Sequence, residues 1–198
     1  MVLIVVALAT GDARAEVAGT GGGSAIGAAT EKTSHAVVKD SAARAGKLVV
    51  TPRRLDSIRI GMGLQDALAT GYFIADPTEQ CGDLAHLVPR YERDIFVDWK
   101  DDVIFSFLIK GPQARTRDRV GVGTAVRTLR RVQSRLRGPR QVDGDGGALW
   151  IQTTRRGQNW LIFGLSTPAD RRPRAKDEVE FMYVQSGWST KQGLYGGC

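Results

Sequence analysis

At 198 residues the chain is long enough for one domain of ordinary size, or two small ones, with a real hydrophobic core. Hydrophobic residues at 42% and charged residues at 25% exclude a membrane bundle and a wholly disordered acidic tail. A formal net charge of +7 favours anionic surroundings (nucleic acid, cell-wall polymer, phospholipid head groups or an acidic protein), and two Cys with two His leave little room for a metal centre.

Residues 1–9 (MVLIVVALA) form an unbroken apolar run. At 1.5 Å per residue it covers about 14 Å, roughly half a hydrocarbon core, so it predicts no transmembrane span. The small-x-small triplet Ala13-Arg14-Ala15 follows, and the combination reads as a secretory signal peptide over 1–15. The protein is therefore expected to be secreted, extracellular or associated with the cell envelope. Residues 16–46 are small and rich in Gly, Ala and Ser, too poor in large apolar side chains to offset ordering entropy, and read as a flexible linker. His35 is a solvated linker residue in this reading. The glycines at 19–23 do not make a dinucleotide-binding motif, because Ser24 follows them and no strand precedes.

The folded part, 47–198, contains one local pattern twice. Residues 57–68 (SIRIGMGLQDAL) align with 117–128 (RDRVGVGTAVRT) at an offset of 60, dividing the domain into repeats at 47–113 and 114–198. Each copy has a short strand end, a G-x-G hinge and a helix. Gly61 and Gly121 supply the hinge, with Met62 and Val122 expected to point into the core. Asp66 suits a first helical turn and Gly71 a stop, while Thr124 is the expected N-cap of the second helix. That helix is expected over about 124–137. Val126, Leu129, Val132 and Leu136 form its buried stripe, and Gly138-Pro139 its end.

Strands are expected at 95–99 and 103–109 after the first helix, and at 148–154, 159–165 and 178–185 after the second. The fold class is α+β: two helix-plus-antiparallel-meander repeats forming one sheet with the helices on one face. This order, with Gly61-Met62 and Gly121-Val122, resembles the fold shared by the β-lactamase inhibitor proteins and the SmpA/OmlA-type (BamE-like) envelope lipoproteins. It is also similar to secreted actinobacterial proteins carrying a G-M-T signature. Here the signature reads G-M-G in the first copy and G-V-G-T in the second. The resemblance implies a protein-binding function and carries over no catalytic residue.

In an exported chain two cysteines are first a disulfide. Cys81 and Cys198 would close a loop of over 100 residues, worth roughly 4–5 kcal/mol in the chain-entropy model. An intermolecular bond through Cys198 and free thiols are the alternatives. A Cys81–His86 nucleophile or metal pair is disfavoured, because i and i+5 point to different helix faces. Asp143-Gly144-Asp145 begins like a calcium loop but lacks the distal ligands. Walker A, G-x-S-x-G and H-E-x-x-H motifs are missing from the sequence. No catalytic, cofactor-binding or metal residue is therefore assigned.

Two surfaces remain. Alternation that turns Leu149, Ile151, Leu161, Phe163 and Leu165 toward the helices would set Trp150, Gln152, Trp160, Ile162 and, from the last strand, Met182 on an open face suited to a protein partner. Separately, residues 114–140 hold nine Arg against the single Asp118. Arg127, Arg131 and Arg135 line one face of the second helix there, and Arg171, Arg172 and Arg174 add a second cluster. These six fit an anionic surface. Nucleic acid is disfavoured, since no stacking aromatics interleave with the arginines. The leading expectation is a secreted, non-enzymatic binding protein, and in concrete form an inhibitor. The alternative is an envelope accessory module held at an anionic wall or membrane surface.

Overall fold

A computed structural model of the chain describes residues 48–75, 85–144, 147–189 and 194. The expected signal peptide and linker, Cys81, Cys198 and the disulfide between them lie outside the described residues.

The described chain opens with three short strands, β1 (Leu48–Thr51), β2 (Arg54–Leu55) and β3 (Ile58–Arg59), followed by a glycine turn and α1 (Leu64–Ala69). β4 (Phe73–Ala75) and β5 (Ala85–Leu87) pair with each other, and α2 (Pro89–Glu92) leads into the hairpin β6 (Ile95–Lys100) and β7 (Val103–Ile109). After β8 (Ala114–Thr116) and α3 (Val126–Val132) come four long strands: β9 (Arg137–Gly144), β10 (Gly147–Arg156), β11 (Asn159–Leu165) and β12 (Val179–Ser186). The strands expected at 95–99 and 103–109 pair as a hairpin, as do those expected at 148–154 and 159–165. Asp101 and Asp102 take the β6–β7 turn with φ of 51° and 60°, a left-handed pair that matches strand twist.

The class is mixed α and β, dominated by strands, but the strands form three sheets rather than one. A six-stranded antiparallel sheet has the order β6-β7-β12-β11-β10-β9, a four-stranded sheet the order β3-β2-β1-β8, and β4-β5 stand apart. The β1–β8 contact is parallel. One core lies on one face of the six-stranded sheet, where Phe107, Ile109, Leu161, Phe163, Met182 and Val184 meet the helices and the inner face of the four-stranded sheet. α1 contributes Ala67, α2 Tyr91, and α3 Val126 and Leu129. The other face carries a smaller cluster of Val142, Ile151, Trp160, Ile162 and Tyr183, covered by Trp188 and Leu194 from the chain's end.

The two glycine turns dock on two neighbouring strands in the same way. Gly61 N–H donates to Ile104 O and Ile104 N–H to Met62 O, at 2.8 and 2.9 Å, at the start of β7. Gly123 N–H donates to Val179 O and Val179 N–H to Thr124 O, again at 2.8 and 2.9 Å, at the start of β12. The matching residues are therefore Gly61 with Gly123 and Met62 with Thr124, two positions later than the alignment of Gly61 with Gly121. The left-handed conformation agrees, with φ of 83° at Gly61 and 79° at Gly123. Gly121 is required for another reason: a Cβ there would meet Ala114 O at 2.7 Å. Met62 is buried as expected, but Val122 is only half-buried, because Val120 fills the core position instead.

Several boundaries shift. α1 stops as anticipated, with Gly71 at φ 73° just past its C-cap, Thr70. α3 is shorter than expected and Thr124 does not cap it. The N-cap is Ala125, and Thr124 Oγ1 instead accepts the Gly121 N–H at 3.0 Å, closing the turn before the helix. The first N–H groups of α3 are taken by a distant loop, Val126 N–H donating to Asp177 O at 2.7 Å and Arg127 N–H to Ala175 O at 3.0 Å. Gly138-Pro139 does not end the helix; it lies within edge strand β9, where proline's missing N–H is tolerated.

Candidate functional site

The register separates the five residues expected on one open face. Trp150 lies opposite Leu165 and Gln152 opposite Phe163, so both belong to the helix-facing side. Met182, opposite Phe163 and Ile109, is on that side too and fully buried. Trp160 and Ile162 are on the other side with Ile151. The β10–β11 turn is the physical cause. Its two residues, Gly157 and Gln158, pair odd-numbered with even-numbered positions, so Leu149 and Ile151 cannot share a face with Leu161 and Phe163. Gln152, Trp160 and Ile162 are also buried, Trp160 being 7% exposed beneath Trp188, with ring centroids 5.2 Å apart. Trp150 is half-buried. These five side chains do not make an open face.

The basic residues are brought together more closely. On α3, Arg127, Arg130 and Arg131 are exposed; Arg135 is exposed too but lies beyond the helix end, so the expected three-turn stripe keeps two members. The Arg127–Ala175 and Val126–Asp177 backbone bonds fasten the 166–177 loop against the first turn of α3. Exposed Arg172, Arg174 and Lys176 therefore continue the surface that Arg127 and Arg131 begin.

Arg171 has a different role. Its guanidinium donates through Nη1 and Nη2 to both oxygens of Asp177, at 2.6 and 2.9 Å. The same carboxylate accepts from Thr167 Oγ1 at 2.9 Å and from the Arg174 backbone N–H at 2.8 Å. The hydrogen bond from Arg171, then that from Arg174 N–H, hold the Asp177 carboxyl well below the usual carboxylate range, while Asp177 raises Arg171. Sequence reasoning missed this clamp. Its one signal was an acid closing the run Arg171–Lys176.

A polar network lies on the second sheet face. Ser106 Oγ bonds Asp98 and, at 3.0 Å, Tyr183 Oη, which also donates to Asp98 at 3.2 Å. No group of His, Cys, Asp and Glu suited to a metal occurs among the described residues, and none of their helices is long and apolar enough to cross a membrane.

No protein-family model matches the chain, and neither any curated protein nor any solved structure proves similar to it.

Proposed function

We propose that this chain is an exported, non-enzymatic binding protein held at an anionic surface of the cell envelope by its arginine-rich face. The observation that carries the reading is the docking of the 166–177 loop on α3. It joins Arg127 and Arg131 to Arg172, Arg174 and Lys176, while of the loop's two acids Asp177 is buried and spent on Arg171 and only Asp170 is exposed. An excess of exposed positive charge on a fixed scaffold attracts a surface of the other sign through the summed field, and salt screens that attraction.

The test is retention of the full-length chain on isolated envelope material in low and high salt. Retention should be strong at about 0.05 M salt, collapse by about 0.5 M, and fall severalfold at low salt in an Arg127→Ala/Arg172→Ala/Arg174→Ala variant. Salt-resistant retention, or none, would remove the proposal.

A protein partner is the second reading, relocated from the tryptophans. Phe96, 45% exposed on edge strand β6, stands opposite half-buried Leu108, with half-buried Phe181 on the same face. Retention that ignores salt but is lost in Phe96→Asp would favour this reading. We also read the domain as two tandem helix-plus-meander units of the kind its resemblance to β-lactamase inhibitor proteins implies. The matched bonds of the Gly61 and Gly123 turns support that reading, as does the antiparallel pairing of β7 with β12.

A further inference from the structure

A second concentration of arginine lies elsewhere, on the outer face of the four-stranded sheet. Leu48, Val50, Leu55, Ile58, Ala114 and Thr116 point inward and are buried. Alternation therefore turns Val49, Thr51, Arg54, Arg59 and Arg115 outward. Arg54 and Arg59 are exposed and directly opposite each other across β2 and β3. Two like charges in that relation oppose folding. Arg115 stands opposite Val49, and the chain continues through exposed Arg117 and Arg119. From β3 to β8 this face spans three strand spacings, about 14 Å.

Two acids, Asp56 and Asp118, stand near these five arginines, and both are turned to neutral donors rather than paired with a guanidinium. Asp56, in the β2–β3 turn, accepts the Tyr72 hydroxyl at 2.6 Å, and Asp118 accepts Gln133 Nε2 at 2.8 Å. No described carboxylate forms an ion pair with Arg54, Arg59, Arg115, Arg117 or Arg119. Along the β8 side lies an open depression of about 490 Å³, bordered by Val49, Arg115, Arg117 and Arg119. Arg115 is anchored at its wall, its Nη1 donating to Arg119 O at 3.2 Å and to Thr124 Oγ1 at 3.5 Å, while its Nε has no partner.

We propose that this outer face is a binding site for an extended polyanion whose charges are phosphate groups. The positive groups are spread too widely for one small anion, and the depression is an open trough rather than an enclosed pocket. Arginine outnumbers lysine 21 to 7 in the chain, and all five cations of this face are arginine. The guanidinium fork matches oxyanions in a bidentate manner. A tetrahedral phosphate offers oxygens in more than one plane and so bridges the opposed Arg54 and Arg59, whereas a planar carboxylate matches one fork. The site is distinct from the α3 face and uses none of its residues.

The test is titration of the full-length chain with long-chain inorganic polyphosphate at low salt, beside poly-glutamate of equal charge. Arg54→Thr/Arg59→Thr keeps residues suited to a strand and removes the opposed pair. It should weaken polyphosphate at least tenfold and lower the slope of log affinity against log salt by about 1.5. The ligand-free variant should melt no lower than the parent chain at low salt, which separates lost binding from lost fold. Arg127→Ala/Arg174→Ala should weaken polyphosphate severalfold less than Arg54→Thr/Arg59→Thr does while weakening envelope retention more, so this site and the α3 face can fail independently. Unchanged polyphosphate binding in the Arg54/Arg59 variant would overturn the proposal, as would poly-glutamate binding as tightly as polyphosphate.

Discussion

The 166–177 loop and the outer face of the four-stranded sheet both gather arginine, but among the described residues only the loop's carboxylate forms an ion pair with it. In the loop, Arg171 closes a bidentate pair with Asp177, and the same carboxylate orders Thr167 and the Arg174 backbone. On the sheet, Arg54 faces Arg59 directly, and the one acid of their turn, Asp56, is held by the Tyr72 hydroxyl. The first arrangement stabilises the fold and leaves Arg172, Arg174 and Lys176 displayed on a fixed scaffold. The second works against the fold and gains most from something outside it. Arginine content alone would have treated these regions as equals; the partner of each guanidinium distinguishes them.

The largest effect should come from breaking the loop's side of this contrast. Asp177→Asn removes the charge and replaces one of the two oxygens that accept four hydrogen bonds with a donor, and should cost about 2 kcal/mol or more in urea denaturation. It also loosens the support of α3, whose first N–H groups end on Asp177 O and Ala175 O. The acid response carries the same signature. The folded-state pKa of Asp177 lies below its unfolded value near 4, so its contribution is complete above about pH 5 and is lost as pH falls toward the folded pKa. Stability between about pH 5 and 2.5 should therefore fall less steeply in Asp177→Asn than in the parent chain.

Thr124 connects the two regions. Its carbonyl oxygen accepts from Val179 at the end of the loop, and its hydroxyl receives the Gly121 N–H and the Arg115 guanidinium. Thr124→Val leaves the buried Gly121 N–H unpaired and should cost about 1–2 kcal/mol, while freeing Arg115. Smaller still, and opposite in sign, is the response of the sheet. Arg59→Thr should stabilise the ligand-free chain by about 0.5 kcal/mol at low ionic strength, with the gain disappearing in about 1 M salt. Thermal melts at the two salt concentrations measure it. A loss of stability at low salt would show that Arg54 and Arg59 do not repel, and the contrast with the loop would go. The smallest stability effect belongs to Arg127→Ala/Arg174→Ala, within about 0.5 kcal/mol of the parent chain, since both side chains are exposed.

Local signals in the sequence were dependable where one residue type answers one geometric demand. Gly71 marks a helix stop and Met62 a core position beside a glycine turn. Signals that depend on register were not. β10 carries large apolar side chains on both faces, Leu149 and Ile151 on one and Trp150 on the other, so hydrophobic alternation does not say which face meets the helices. Parity across the Gly157-Gln158 turn does. β9 went unread because Gly138-Pro139 looks like a helix terminator, which an edge strand accommodates equally well. The α3 surface was partly legible, since its arginines cluster in sequence. Its scaffold was not, because Asp177 acts on residues three to ten positions away and on a helix some fifty residues earlier. The opposition of Arg54 and Arg59 depends on the pairing of two strands of two residues each, too short for any periodic pattern.

The central claim, that the α3 face holds the protein to an anionic surface, is tested most directly by the salt dependence of its affinity for envelope material. Log affinity against log salt should be linear and steep for the parent chain, and the slope should shrink by about 0.7–0.9 for each exposed arginine removed among Arg127, Arg131, Arg172 and Arg174. A flat line for the parent chain, or an undiminished slope when all four are alanine, would contradict it.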